Sequence, residues 1–363
     1  MSAQETPAFP LGPEALAEAT KSFERMMQRN VKGLEYIRSP APVVGISESE
    51  TLIDRGTLQL LHYTPLVEEV YRVPVVLVMA TTNRGYIFDL RKGQSYVEYL
   101  LKAGFDVFVI DWEPPRDDER GLGMADYVLD FIPSCIERIC RETGEDEVSV
   151  IGYCMGGVLS LIYAALHLDG PAKSLMVFTT PLDMTKMTGF HNWSDKRFFD
   201  VDRILKTYGN CPPELIYGAF DLLSPADKTA GNLRLWDNMW NDEFVESYRL
   251  FDRWANDILP LAGEYFADTT RGLMWENGLY EGTLQVAGRT ADISKIKIPF
   301  FMATAVHDSI VPSESSAPLI DKIGSADKEH LELKGGHVSV IAGPNAVKRL
   351  WPATEKWLGK RSV

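Results

Sequence analysis

The string Val148-Ser149-Val150-Ile151-Gly152-Tyr153-Cys154-Met155-Gly156-Gly157 constrains this chain more than any other. An apolar, β-branched run feeds into Gly-x-Cys-x-Gly-Gly, and a helical pattern follows over 158–167. A tight strand-to-helix turn of this kind holds a nucleophile in a strained conformation. Gly152 and Gly156 carry no Cβ and so permit close backbone contact. The thiol of Cys154 then sits at a helix N-terminus, where free N–H groups and the macrodipole favour a thiolate and an oxyanion. A buried structural cysteine beside a Gly-rich turn is the plainer reading of Cys154 taken alone. The strand before it and the helix after it favour the nucleophile.

The chain has 363 residues, enough for one large domain with an insertion or for two domains. A net charge of −14 argues against nucleic acid as a partner, because phosphate binding needs a basic face. Cys135, Cys140, Cys154 and Cys211 show no paired C-x-x-C spacing, so neither a zinc site nor a disulfide framework is indicated, and no metal is expected. That usage fits a reducing, cytoplasmic setting. Residues 1–13 are polar and contain proline, without the apolar stretch of a secretory signal. No apolar run is long enough to span a bilayer.

Apolar residues Leu16, Ala19, Phe23, Met26 and Met27 recur at helical spacing over 14–30. They predict an amphipathic helix, either packed on its own core, which is the favoured reading, or docking a partner. Residues 58–63 read as an edge strand. Runs at 73–80, 107–110, 148–151 and 175–180 carry the continuous apolar signature of strands buried on both faces. Helical patterns at 94–103, 124–143 and 158–167 separate them. Two more strands are expected at 299–304 and 330–333, with a closing helix at 346–358. This alternation predicts an α/β fold with a mostly parallel sheet, helices on both faces and right-handed crossovers. Residues 181–292 break the rhythm, being rich in Trp, Asn, Asp and Met. They read as a mainly helical cap lying over the site. The expected division is an extension at 1–36, a core at 37–180 and 293–363, and the cap between.

The elbow string resembles that of the α/β-hydrolases, with cysteine in place of serine. In that architecture the order along the chain is nucleophile, acid, histidine. Asp308 follows the predicted strand around 300–304, and His337 follows the next one, after Gly335-Gly336. Asp183, after the strand that succeeds the elbow, is the second choice of acid. The remaining histidines are weaker candidates: His167 at a helix end, His62 and His330 at strand edges, His307 beside Asp308, and His191 in the cap. The oxyanion hole should use the backbone N–H of Met155 and one from Thr81, Thr82 or Asn83. Each such donor contributes about 3 kcal/mol to transition-state binding.

Several further strings carry a narrower resemblance. Gly152-Tyr153-Cys154-Met155-Gly156-Gly157 is similar to the cysteine-containing lipase box of polyhydroxyalkanoate synthases. Val78-Met79-Ala80-Thr81-Thr82-Asn83-Arg84-Gly85-Tyr86-Ile87-Phe88-Asp89-Leu90 resembles that family's strand and Asn-Arg-x-Tyr-x-x-Asp-Leu loop, and Val109-Ile110-Asp111-Trp112 its next strand end. Phe199-Asp200-Val201-Asp202, Gly209-Asn210-Cys211-Pro212-Pro213-Glu214 and Asn241-Asp242-Glu243-Phe244-Val245-Glu246-Ser247 resemble its cap. The match runs from about residue 37 to the C-terminus. The chain lacks the long N-terminal domain of the single-subunit synthases and so resembles the short, two-component classes. One string departs from the family: Asp308-Ser309-Ile310-Val311-Pro312 has Ser309 where Asp-His-x-Val-Pro has histidine.

The resemblance implies a synthase that polymerises (3R)-hydroxyacyl-coenzyme A through an acyl-Cys154 intermediate. His337 would be the base, Asp308 its orienting acid, and Asn83, Tyr86 and Trp193 candidate substrate or cap contacts. No cofactor is implied, since coenzyme A enters as part of the substrate. The implied partners are the growing polyester and a second synthase subunit, with a homodimer as a further option. The implied place is the cytoplasm, at the surface of polyester granules. A depolymerase or thioesterase with a cysteine nucleophile is the alternative, and a non-catalytic granule-associated protein is a third.

Overall fold

A computed structural model describes residues 12–223 and 225–362. The stretch 1–11, which carries most of the polar segment weighed above as a signal, lies outside the described residues. Among the described residues ten strands form: β1 Ser49–Arg55, β2 Leu58–Tyr63, β3 Val75–Val78, β4 Val107–Trp112, β5 Val148–Tyr153, β6 Ala172–Phe178, β7 Gln285–Val286, β8 Arg289–Thr290, β9 Phe300–Ala305 and β10 Lys328–Leu333. Eight of them make one sheet in the order β1-β2-β4-β3-β5-β6-β9-β10, and β7 and β8 form a separate hairpin. β1 and β2 are antiparallel additions, and every pairing from β4 to β10 is parallel. The central strands β3, β5 and β9 are buried along their whole length. Their continuous Val, Ile and Phe runs therefore made them readable.

β2 is not the edge. β1 covers it, and β1 itself is exposed or half-buried throughout. With Glu50, Asp54 and Arg55 along it, β1 has no apolar alternation to announce it. Charge on an edge strand also discourages pairing with another chain. Helices Tyr96–Lys102, Ile132–Thr143, Met155–Leu166 and Trp351–Gly359 occupy the crossovers and the C-terminus. The helix Met155–Leu166 is nearly all apolar and almost wholly buried.

The residues divide into two compact units. The larger holds the sheet, with described residues 43–223 and 254–362. The smaller joins described residues 12–42 to Pro225–Arg253. The expected cap at 181–292 is thus not one body. Its stretch 225–253 packs with the N-terminal helix Pro13–Arg38 instead. There Gly33 is buried, and a Cβ on it would lie 2.9 Å from the Trp236 ring. Arg29 pairs with Asp237 and stacks over Trp236, Lys32 meets Asp242 at 2.8 Å, and Arg25 lies over Trp240. Trp236 and Trp240, which fall within the expected cap, serve this small unit.

The N-terminal helix also corrects its own expectation. Its basic face meets the neighbouring helices, and its apolar stripe faces solvent. Leu16, Phe23, Met26, Met27 and Val31 are exposed, and Leu34 and Ile37 reach 62% and 79% exposure. The other helix segments of its own unit leave the stripe uncovered.

Candidate active site

β5 delivers Cys154 into a backbone conformation that only its surroundings can enforce. Cys154 has φ 53° and ψ −121°, a sparsely populated region for a residue with a Cβ. The glycines around it are sterically required. A Cβ on Gly152 would lie 2.4 Å from the Gly157 Cα, and one on Gly156 would lie 2.1 Å from the Val78 carbonyl. The elbow is therefore pressed against β3 and its own helix. Cys154 is the residue just before helix Met155–Leu166, and its carbonyl accepts from Gly157 and Val158 N–H. The N–H of Met155 is one of those left free at a helix start.

Opposite the thiol, β9 and β10 end in two loops that bring Asp308 and His337 together. His337 Nδ1–H donates to Asp308 Oδ2 at 2.8 Å, and both side chains are buried. The other carboxylate oxygen accepts from the N–H groups of Ile310 (2.9 Å) and Val311 (2.7 Å). These bonds hold Asp308 in one orientation and fix the plane of the ring, whose far side is turned towards Cys154. Gly335, at φ 147°, would place a Cβ 2.3 Å from Ser339 Oγ, so the turn before His337 demands glycine. Burial pushes the His337 ring towards its neutral form, but Asp308 and Cys154 outweigh it and raise the pKa to about 10. The influence of Cys154 on the ring ties the three side chains into one electrostatic unit.

Asp183, the rival acid, is engaged elsewhere. Its Oδ1 accepts from Thr185 N–H, Thr185 Oγ1 and Asn277 Nδ2. Tight turn-capping explains its place after β6. The other histidines also have local roles: His62 pairs with Asp106, His167 contacts the Tyr163 carbonyl, and His330 meets Thr304 Oγ1. His307 is exposed on the loop, and His191 lies in the helix Thr188–Trp193.

A cavity of about 160 Å³ opens beside the thiol, lined by Cys154, Met155, Thr81 and Thr82 from the sheet side. Residues between 181 and 220 and between 261 and 274 supply most of the remaining wall, including Met187, Phe190, Trp193, Phe199, Ile216 and Phe266. The wall is almost wholly apolar, which suits an acyl chain and disfavours water. Trp193 is part of that wall. Asn83 and Tyr86 are not. Asn83 Nδ2 donates to the Trp254 carbonyl, and Tyr86 OH donates to Asp257. With Leu259 N–H on the Thr82 carbonyl, these contacts pin the loop that carries Thr81 and Thr82. Asp111 supports the same loop from β4 by accepting from Gly85 N–H at 2.8 Å. Its burial lifts the carboxyl to about 6, against the opposing pull of the N–H groups of Trp112 and Gly85.

Two tyrosines escaped the sequence reading. Tyr153 is buried against His337, with ring centroids 5.3 Å apart, and its hydroxyl donates to the His337 carbonyl at 3.4 Å. Its position just before the nucleophile was the only available signal. Tyr265 lines the cavity and accepts from Thr81 Oγ1 at 3.2 Å. Nothing in its local pattern marks it.

Comparison with known proteins fits this geometry. Residues 89–344 match the family described as alpha/beta hydrolase fold, and residues 43–100 match the Poly-beta-hydroxybutyrate polymerase (PhaC) N-terminus. The poly(3-hydroxyalkanoate) polymerase subunit PhaC of Haloarcula marismortui is 30% identical over 329 residues, covering 88% of this chain and 69% of that protein. The chain belongs to the poly(3-hydroxyalkanoate) polymerase family. The subunit from Haloferax mediterranei is 31% identical over 88% of this chain, which spans 65% of that relative. That from Allochromatium vinosum is 29% identical, with 97% of this chain and 100% of the relative covered. Among solved structures, Est1E from Butyrivibrio proteoclasticus superposes with a TM-score of 0.51 at 12% identity, covering 87% of this chain and 99% of that one. A thermophilic esterase from Thermogutta terrifontis gives 0.50 at 16%, covering 87% and 100%. These two likenesses speak to the fold alone. Among the described residues no helix is long and apolar enough to cross a membrane.

Proposed function

We propose that this chain is the catalytic subunit of a polyester synthase that polymerises (3R)-hydroxyacyl-coenzyme A and releases coenzyme A. The observation that carries the reading is the His337–Asp308 pair set beside the strained Cys154 elbow, in a chain of the polymerase family. The Cys154 thiolate attacks the thioester carbonyl, and its proton resides on His337. The N–H of Met155, with one from Thr81 or Thr82, receives the oxyanion. As the tetrahedral intermediate collapses, the carbon–sulfur bond to coenzyme A breaks and His337 protonates the departing thiolate. Neutral His337 then takes the proton of a 3-hydroxyl group, whose oxygen attacks the acyl-Cys154 carbonyl. An oxygen ester forms and the Cys154 sulfur leaves. Asp308 holds the ring in the productive tautomer throughout.

The apolar cavity supports acyl transfer over hydrolysis, because water at the acyl-enzyme would end the chain. Its lining supports a hydrocarbon-rich acyl group held beside the sulfur. The reaction as written needs no cofactor beyond the coenzyme A of the substrate. The relatives named as polymerase subunits support a second subunit as partner, and an insoluble product supports residence at the granule surface in the cytoplasm. The deciding assay gives purified chain 3-hydroxybutyryl-coenzyme A, alone and with a candidate second subunit. Coenzyme A release with insoluble polyester is expected, with a marked gain from the second subunit. Release of free hydroxy acid only would replace the synthase reading with a hydrolase.

A further inference from the structure

The cavity beside Cys154 holds few hydroxyl groups, and several already have protein partners. Thr269 Oγ1 donates to the carbonyls of Tyr265 and Phe266, and Thr270 Oγ1 to that of Phe266. Thr81 Oγ1 donates to the hydroxyl of Tyr265. Ser194 differs. It borders the same cavity, is 4% exposed, and its Oγ is sealed from solvent with no hydrogen-bond partner among the described residues. Among the described residues of the cavity wall no other hydroxyl is in that state.

The backbone of Ser194 is fully occupied. It follows the helix Thr188–Trp193, its N–H donates to the Phe190 carbonyl at 2.9 Å, and its own carbonyl accepts from Trp275 Nε1 at 2.5 Å. Alanine would satisfy the same backbone bonds. The hydroxyl is therefore a net loss to the empty fold, since a sealed polar group without a partner forfeits its hydration. One torsion controls it. Rotation about χ1 moves Oγ among three staggered positions without moving the helix.

The chemistry of the bound chain identifies a partner. In the proposed reaction the acyl carbonyl on sulfur lies in the oxyanion hole, and the 3-hydroxyl that attacks must reach His337. A single hydroxyacyl unit has no other polar group. A chain of two or more units has one: the ester carbonyl a repeat unit away from the sulfur. Enclosed by Met, Phe and Leu side chains, that carbonyl needs a donor. We infer that Ser194 donates a hydrogen bond to the ester carbonyl of the polyester held on Cys154, and so selects elongation over the first acylation. Ser194 is a positioning residue for the chain, and its role rests on the synthase reading.

The test separates the two steps with Ser194→Ala and Ser194→Thr, each checked for an unchanged thermal midpoint. Coenzyme A release from 3-hydroxybutyryl-coenzyme A is measured in single turnover with enzyme in excess. The elongation rate is measured at steady state with the second subunit present. The expected result for Ser194→Ala is first acylation within twofold of wild type and elongation slowed roughly tenfold, the loss of one hydrogen bond. Ser194→Thr, which keeps the hydroxyl, should recover most of the rate. Unchanged elongation in Ser194→Ala, or acylation falling by the same factor as elongation, would overturn this inference alone. A wild-type chain that releases coenzyme A without making polymer would overturn the synthase reading and this inference together.

Discussion

The molecule contains two histidine–carboxylate pairs of equal length. His337 meets Asp308 at 2.8 Å across the C-terminal ends of β9 and β10, and His62 meets Asp106 at 2.8 Å beside β2 and β4. In both, burial opposes protonation and the carboxylate prevails, so both rings hold their protons more tightly than free histidine does. The surroundings distinguish them. His62 stacks on Phe108, with centroids 4.2 Å apart, and also faces Glu50. His337 faces Cys154. A short imidazole–carboxylate contact is therefore common structural hardware. The third member, a thiol on a strained turn, makes one of the two a candidate for chemistry.

The largest expected effect is at that third member. Cys154→Ala should lower coenzyme A release by about 10⁴-fold or more while leaving the thermal midpoint near wild type, because the nucleophile is lost while the buried His337 keeps its Asp308 partner. Retention of near-normal release would dissolve the distinction between the pairs. Next comes the comparison itself. Asp308→Asn should cost roughly 10³- to 10⁴-fold in turnover through loss of the correct tautomer. Asp106→Asn should leave turnover within about twofold and lower stability by about 1 kcal/mol. Parallel kinetics and urea melts on the two variants give both quantities. Equal losses of activity would mean that the pairs are not functionally different.

A third expectation concerns pH. The folded pKa of His337 is about 10 against about 6.5 for an unfolded histidine. A raised pKa means that the native state binds the proton more tightly. This contribution to stability is thus complete below pH 6.5 and fades as pH rises towards 10. The His62 contribution fades in the same direction. In ¹⁵N NMR at pH 8 the His337 ring should carry both protons, and Asp308→Asn should lower its titration midpoint. A ring already neutral at pH 7 in the wild type would contradict this. The smallest effect is expected at the rival acid: Asp183→Asn should change turnover by less than about threefold, since its oxygen caps Thr185 and meets Asn277. A larger loss, measured in the same assay, would return Asp183 to the candidate set.

The order of elbow, acid and histidine along the chain was legible because each sits just beyond a strand, and those before Cys154 and Asp308 are buried on both faces. The choice between Asp308 and Asp183 was not, since both follow strands and only the hydrogen bonds of Thr185 and Asn277 separate them. Residue periodicity located the N-terminal helix but not the direction of its stripe. A 3.6-residue repeat fixes which side chains share a face, and what lies opposite depends on distant segments. The same reason hid the pairing of 225–253 with that helix, because cation–π contacts such as Arg25 over Trp240 leave no periodic trace. β1 escaped because an exposed strand has no face to bury. Tyr265 and Ser194 escaped because a residue's neighbours along the chain say nothing about which cavity it borders.

A helix that turns charge towards its own neighbours and Leu16, Phe23, Met27, Leu34 and Ile37 towards water makes the whole polypeptide an amphiphile. The chain as a whole carries a net charge of −14, which supplies the wettable part. Such a molecule lowers surface tension, collects at air–water and oil–water boundaries, and foams when stirred. Its concentration in a dilute stock is then set by the walls and the meniscus of the vessel as much as by what was weighed in. Detergent below its micellar threshold, by coating the stripe, would restore a proportional relation between protein added and protein in the bulk.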